Sequence, residues 1–322
     1  MYSKYVKNND VNFTDWTYQD SLGWSESKFN GNTIYSIASN NDIMVVVGNN
    51  GKVATSSNGI DWVLNIQLKN MVGSNPIRAI VYANNKFLLI SSNAILATSP
   101  DGLNWSKETN NVSSINLSSY SINKIIYANN TYYFVGANGK AGYSTNITTW
   151  TSITSLTTIF GSYPINGVAY GNGVFVAGGN NSKTAYSTDG ITWTAISSLT
   201  SIFGGQHIAA VEYIDNMFFA VGGSGKAAYS TDGITWTAIS SLTSIFGVII
   251  YSIAHDGKKF IAVGTSGRYA YSLDGINWFT NNSYTNISGI KTYYVTHMAK
   301  INNKSIYLSG GDSGYLLESF EN

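Results

Sequence analysis

One run of twenty residues, AYSTDGITWTAISSLTSIFG, occupies positions 185–204 and recurs unchanged at 228–247, 43 residues downstream. A copy at that spacing confines the chain to folds built by repeating one supersecondary unit. Tryptophan carries the period well beyond the copied run. Trp62, Trp105, Trp150, Trp193, Trp236 and Trp278 follow one another at intervals of 43, 45, 43, 43 and 42 residues. Each closes a related phrase: SSNGIDW, SPDGLNW, STNITTW, STDGITW, STDGITW and SLDGINW.

The residues ahead of each phrase repeat as well. A short apolar segment (INKIIY, INGVAY, IYSIAH) is followed by a polar turn, such as Asn84-Asn85 or Asp256-Gly257. A second apolar run comes next (VVVG, FLLIS, YFVG, FVAG, FAVG, IAVG), then a glycine-rich turn and a third run typified by AAYS. Asn-Gly and Asp-Gly favour tight hairpins because such turns need positive φ. The flanking segments are rich in β-branched and aromatic residues, which suit strands. Each unit therefore predicts four short antiparallel strands. Four strands per 40–45 residues is the pattern of a β-propeller, in which stacked blades bury sheet faces that one blade cannot bury alone.

The count comes to seven. Six Trp phrases are complete, and VTHMAKINNKSIYLSGGDSGYLLESFEN at 295–322 supplies three strands of a further unit. Its missing outer strand is found at the other end, where DVNFTDWT at 10–17 sets Asn12 and Trp16 at the spacing of Asp232 and Trp236. The expectation is an all-β, seven-bladed propeller in one domain, with four antiparallel strands per blade and the last blade closed by the N-terminal strand. The blades run over 33–67, 77–108, 122–153, 165–196, 208–239, 250–281, and 295–322 with 10–17.

The phrase S-x-D-G-x-x-W resembles the Asp-box of sialidase-type propellers, the bacterial neuraminidase repeat, though it is one residue shorter. The Asp position reads Asn12, Asn58, Asp101, Asn146, Asp189, Asp232 and Asp274, and the glycine after it is replaced by Phe13 and Ile147 in two blades. The resemblance implies a structural turn between third and fourth strands, away from any chemistry, with the Asp or Asn capping backbone N–H groups and the Trp packed between sheets. Sialidase activity does not follow. Those enzymes hold a carboxylate with three arginines, whereas this chain has only Arg78 and Arg268, and lysine cannot replace the planar guanidinium fork.

Other chemistries find little support. Acids outside the boxes are scattered without a shared register that would pair two carboxylates. Glu212, within AAVEYID, is the one acid that interrupts an apolar strand. His207, His255 and His297 fall in three different blades with no zinc-ligand spacing, so no metal or cofactor is expected. Charged residues make up 11% of the chain against about 25% in an ordinary domain. A net charge of +1 offers no field for nucleic acid. Cysteine is absent, so packing alone must hold the fold. No apolar run approaches the roughly 20 residues a membrane helix needs. The first residues, MYSKYVKNNDVNFTDW, lack the apolar core of a signal peptide, which suggests release by lysis if the protein acts outside a cell.

Binding on rim loops is the remaining class. Second-to-third-strand turns and blade-to-blade connections should share one face, here the upper face. There Lys52, Lys140, Lys183, Lys226 and Arg268 occupy corresponding positions, either as solvated turn residues or as a ring of donors for an anionic or hydroxyl-rich polymer. The connections TSITSLTTIFGSYPING, TAISSLTSIFGGQHIAA and TAISSLTSIFGVIIYSI each carry one phenylalanine: Phe160, Phe203 and Phe246. These rings either plug gaps between blades or stack on sugars. Tyr163 and His207 differ between copies just beyond that Phe, and Trp24 is the one Trp outside the blade register. Repeated weak sites suit a repetitive target through avidity. The leading expectation is a non-catalytic carbohydrate-binding protein. Its uncharged, Asn-rich, cysteine-free composition resembles that of the receptor-binding component of a phage tail or tail-like particle. Its partners would be a cell-surface glycan or teichoic-acid-like polymer and other tail or baseplate proteins. A structural hub binding protein partners and a glycan-cleaving enzyme are the alternatives.

Overall fold

The computed structural model describes residues 16–17, 32–59, 61–108, 121–255, 257–280, 293–301, 304–311 and 316–320. Within these the chain forms seven antiparallel sheets. Six have four strands, and the sheet built on Ile250–His255 has three. A single bridge, Tyr271 to Phe279, stands where that sheet's fourth strand would be. The first strands are Ile34–Ser39, Ile77–Ala83, Ile122–Ala128, Ile165–Gly171, Ile208–Ile214, Ile250–His255 and Tyr293–Ile301. Each lies against the next, and Tyr293–Ile301 lies against Ile34–Ser39, so the ring closes. The latch runs as the sequence predicts: Trp16 pairs with Ser319 and Thr17 with Glu318, adding the N-terminal strand to the outside of the seventh sheet.

In the first six blades the second strands are buried at every position after the first, as in MVVVG at 44–48 and FLLIS at 87–91. They read as continuous apolar runs because each is covered on both faces by neighbouring sheets. Trp62, Trp105, Trp150, Trp193, Trp236 and Trp278 are each at most 6% exposed. Trp193 packs with Tyr133 and Val135 of the preceding blade, and Trp236 with Val176.

The box turn itself follows one hydrogen-bond scheme. In the fourth blade the Asp189 carboxylate accepts from the backbone N–H groups of Ile191 and Thr192, both at 2.7 Å. Ser187 Oγ donates to Asp189 at 2.8 Å and accepts from Gly190 N–H at 2.8 Å. Trp193 Nε1 donates to the Gly190 carbonyl at 3.1 Å. Gly190 has φ 76°, and a Cβ there would meet the Tyr133 ring at 2.7 Å. The third blade manages with Ile147 at φ 61°, buried against Leu88 and Leu96.

The connections differ from an all-β expectation. Four of them hold seven-residue helices: α1 (Ile66–Val72), α2 (Thr154–Phe160), α3 (Ser197–Phe203) and α4 (Ser240–Phe246). Their Ser and Thr content is poor for helix formation. Burial overrides that preference, because Leu156 with Phe160, Leu199 with Phe203, and Leu242 with Phe246 sit four apart on one face and are fully enclosed. Each helix stops at a glycine with positive φ: Gly73, Gly161, Gly204 and Gly247. The helix N-termini also clasp the next blade's box turn. Asn65 Nδ2 donates to the Leu103 carbonyl at 2.7 Å, Ser155 Oγ to Ile191 at 2.7 Å, and Ser198 Oγ to Ile234 at 3.1 Å. No described helix is long and apolar enough to cross a membrane.

Candidate functional site

The seven first strands share an irregularity that the repeat pattern conceals. In every one the pairing register shifts just after its opening residue, leaving one bulged residue per blade. Bulges re-aim side chains. The seven residues are Tyr35, Arg78, Asn123, Asn166, Ala209, Tyr251 and Tyr294, all half-buried. They lie at the upper end of the channel, because each first strand begins where the second-to-third turn docks. Asn49 N–H donates to the Thr33 carbonyl at 2.9 Å, and Gly223 N–H to His207 at 2.9 Å.

These side chains link neighbouring blades in two arcs. Asn123 Nδ2 donates to the Ile165 carbonyl at 3.0 Å, and Asn166 Nδ2 to Ile208 at 2.8 Å, each reaching the next blade. On the other side three rings form an arc. Tyr251 and Tyr294 have centroids 4.7 Å apart, and Tyr294 and Tyr35 stand edge to face at 6.2 Å. The Arg78 guanidinium closes the arc 4.3 Å over the Tyr35 ring. One side of the mouth is thus aromatic and cationic, and the other is amide-rich and ends at the small Ala209.

Deeper in the channel, charge takes over. Lys124 Nζ of the third blade reaches Glu212 Oε1 of the fifth at 2.6 Å. The fourth blade has Gly167 at the position equivalent to Lys124, and a Cβ there would stand 2.5 Å from the Val211 backbone N. That glycine lets the two first strands approach closely. Glu212, which the sequence marks only as an acid interrupting an apolar strand, therefore has a partner that the packing of blades supplies. His297 of the seventh blade shares a 2.8 Å hydrogen bond with Ser39 Oγ. Burial, with a smaller push from the Lys124 charge, lowers its imidazole to about 4, so it is neutral at pH 7.

The residues the sequence marked fare differently. Phe160, Phe203 and Phe246 are fully buried in the seams between blades, so their rings cannot stack on a ligand; the packing alternative is the correct one. Lys52, Lys140, Lys183, Lys226 and Arg268 do occupy corresponding places, each just after a second-to-third turn, and all are half-buried. The contacts seen there are local. The Arg268 guanidinium donates to the Phe246 carbonyl and, at 3.5 Å, to Ile245, closing the C-terminus of α4. Burial, then the Lys69 charge, lowers the Lys52 amine from its usual range. Arg268 thereby clamps the end of the helix through one guanidinium nitrogen. Tyr163 is 41% exposed on the upper rim, as a ligand contact would require. His207 is half-buried beside the Gly223 turn, and burial depresses its imidazole. Trp24 lies outside the described residues.

The bulge positions were missed because no one residue type marks them: three are Tyr, two Asn, one Arg and one Ala. The available signal was positional: the residue after the opening Ile reads Tyr, Arg, Asn, Asn, Ala and Tyr through the first six blades, and the seventh opens Tyr293-Tyr294. Two-residue alternation cannot reveal that a bulge turns this position toward the lumen.

A family model described as "DUF6242 beta propeller domain" matches residues 99–204. No curated protein matches the chain by sequence. Among solved structures, "YCF48 bound to D1 peptide" is similar at TM-score 0.73 and 15% identity, over 97% of this chain and 97% of that one. YCF48 from Cyanidioschyzon merolae is similar at TM-score 0.66 and 16% identity, over 90% and 96%. The extracellular domain of a one-component system from B. thetaiotaomicron gives TM-score 0.71 at 11% identity, with 97% of this chain matching 40% of that one. Likeness at these identities establishes the propeller fold, a scaffold compatible with a binding or assembly role.

Proposed function

We propose that this chain is a non-catalytic binding propeller that receives its ligand at the upper mouth of the channel, and that the ligand is an anionic, hydroxyl-rich polymer. The arc of Tyr251, Tyr294 and Tyr35 capped by Arg78 carries the reading. Aromatic faces suit the C–H faces of sugar rings. A guanidinium beside them suits a phosphate or carboxylate substituent through paired N–H donors. Asn123 and Asn166 add amides across the mouth. A teichoic-acid-like wall polymer or acidic surface polysaccharide has this chemistry. The protein would then serve as the host-recognition component of a phage tail or tail-like particle, assembled with baseplate proteins in the cytoplasm and carried outside on the particle. The reading is non-catalytic because Glu212, the acid best placed in the channel, is held by Lys124 rather than facing a second carboxylate.

Retention on purified wall polymer tests it. Wild-type protein should bind, Arg78→Ala should bind at least about tenfold more weakly, and Tyr294→Ala should lose affinity by a similar factor. No retention, or equal retention by all three, overturns the reading. A second reading is favoured by the similar structure solved with a bound peptide: an assembly propeller taking a peptide carboxylate at the same arginine. It requires that Arg78→Ala abolish capture of an acidic peptide while wall polymer fails to bind even the wild type.

A further inference from the structure

The lower face, where first-to-second-strand turns emerge, has a cavity of its own. It measures about 450 Å³ and is lined by Ser39, Asn40, Asn41, Asp42, Tyr82 and Asn85, at the junction of the first and second blades. That volume falls within the roughly 300–1,000 Å³ of small-ligand sites. We propose that this cavity is a second binding site, selective for a neutral saccharide unit, and independent of the reading given to the upper mouth.

Three features of the lining carry the proposal. The first is its polar inventory: three primary amides, a serine hydroxyl and a phenol offer donors and acceptors together, the combination that vicinal hydroxyls require. The second is charge. Asp42 is the one charged residue of the lining, and no lining residue is cationic. An acidic sugar or phosphate would meet a carboxylate with no cation beside it in the lining, whereas a neutral sugar can donate hydroxyl hydrogens to it. A lone carboxylate is also too little for a metal, and the described residues contain no cluster of metal-ligating side chains. The third is rigidity. Asn40 Oδ1 accepts from the backbone N–H groups of Asp42 at 2.9 Å and Ile43 at 2.8 Å, which pins the first blade's turn. The facing turn of the second blade is a two-residue hairpin with Asn84 and Asn85 at φ 51° and 59°. The Tyr82 ring is held 4.7 Å from Phe87, leaving a fixed apolar surface beside the amides. Ser39 is tied behind the cavity to His297. The walls are therefore set before a ligand arrives, which lowers the ordering cost of binding.

The two sites would differ in charge preference: anionic above, at Arg78, and neutral below, at Asp42. Saturation-transfer NMR on the full chain separates them, using the methyl glycosides of glucose, galactose and N-acetylglucosamine, with methyl glucuronide as the anionic counterpart. At least one neutral glycoside should receive saturation from the wild type and equally from Arg78→Ala. Asn41→Trp, which fills the cavity from an exposed turn position, should weaken that signal at least about tenfold, with its fold checked by circular dichroism. Methyl glucuronide should bind the lower site at least about fivefold more weakly than the neutral glycoside, and Asp42→Asn should narrow that gap. The proposal is overturned if no neutral glycoside binds the wild type, if Asn41→Trp binds like the wild type, or if the glucuronide competes equally at the lower site.

Discussion

The fourth and fifth blades share twenty identical residues, yet their innermost strands read INGVAYG and IAAVEYI. In the structure the shared run is the outer half of a blade: third strand, box turn, fourth strand and helix α3 or α4. The strands that differ line the channel, where Gly167 stands in one blade and Glu212 in the next. The outer layer repeats because each copy solves one packing problem, clasping the following blade. The inner layer is free to differ because its side chains face a lumen. Identity between blades therefore marks scaffold here, and divergence marks the surface available for recognition. The sequence alone suggests the opposite, that copied stretches would give equivalent binding sites around the ring.

The largest test of that contrast removes the same outer residue from both copies. Trp193→Ala and Trp236→Ala should each lower stability by about 3–5 kcal/mol, and by similar amounts, measured by denaturant unfolding. A large inequality would mean the copies are not equivalent scaffolds. Gly190→Ala should cost about 1–2 kcal/mol from its left-handed backbone, with more from contact with Tyr133.

Acid should separate the two layers without mutation. The backbone N–H groups of Thr192 and Ile191 hold the Asp189 carboxyl down at about 2. In Asp101 the Asn104 N–H leads the same downward shift. In Asp232 and Asp274 burial opposes the shift, and the turn N–H groups together with side-chain donors outweigh it. A carboxylate depressed in the folded state stabilises above its unfolded value near 4, and that stability fades as pH falls toward 2. His297 works in a higher window. Its imidazole titrates near 4 when folded and near 6.5 when unfolded, so the unfolded chain binds the extra proton between those values. Stability should thus fall as pH drops from about 6.5 to about 4, then again from about 4 to about 2. Melting temperatures across pH should show that Asp189→Asn flattens only the lower window and His297→Gln only the upper. Asn58 and Asn146 place a neutral amide where the other boxes have a carboxylate.

The smallest expected effect on stability is in the mouth. Arg78→Ala should shift stability by no more than about 0.5 kcal/mol, as for other substitutions away from the core, while reducing polymer binding about tenfold. A destabilisation comparable to that of the tryptophan variants would place Arg78 in the scaffold and remove the distinction between layers.

Much of the outer layer was legible. The Trp spacing predicts the blades, and Asn12 and Trp16 predict the closing strand, which pairs at Trp16 and Thr17. The box turns follow from Asp-Gly and Asn-Gly chemistry. The helices were legible only in hindsight: Leu199 and Phe203 stand four apart and Gly204 ends the segment, but Ser and Thr between them mask the signal. The inner layer was not legible. Lys124 and Glu212 lie 88 positions apart, and Ser39 and His297 lie 258 apart.

By itself, then, the amino-acid order determined the unit, its number and its closure, because strand pairing and tight turns are local and repeat with the residues that encode them. Only the tertiary ring decided which side chains meet in the channel and at its two mouths. Those encounters join blades distant in sequence, and one bulge per first strand turns residues of unrelated chemistry toward a common axis.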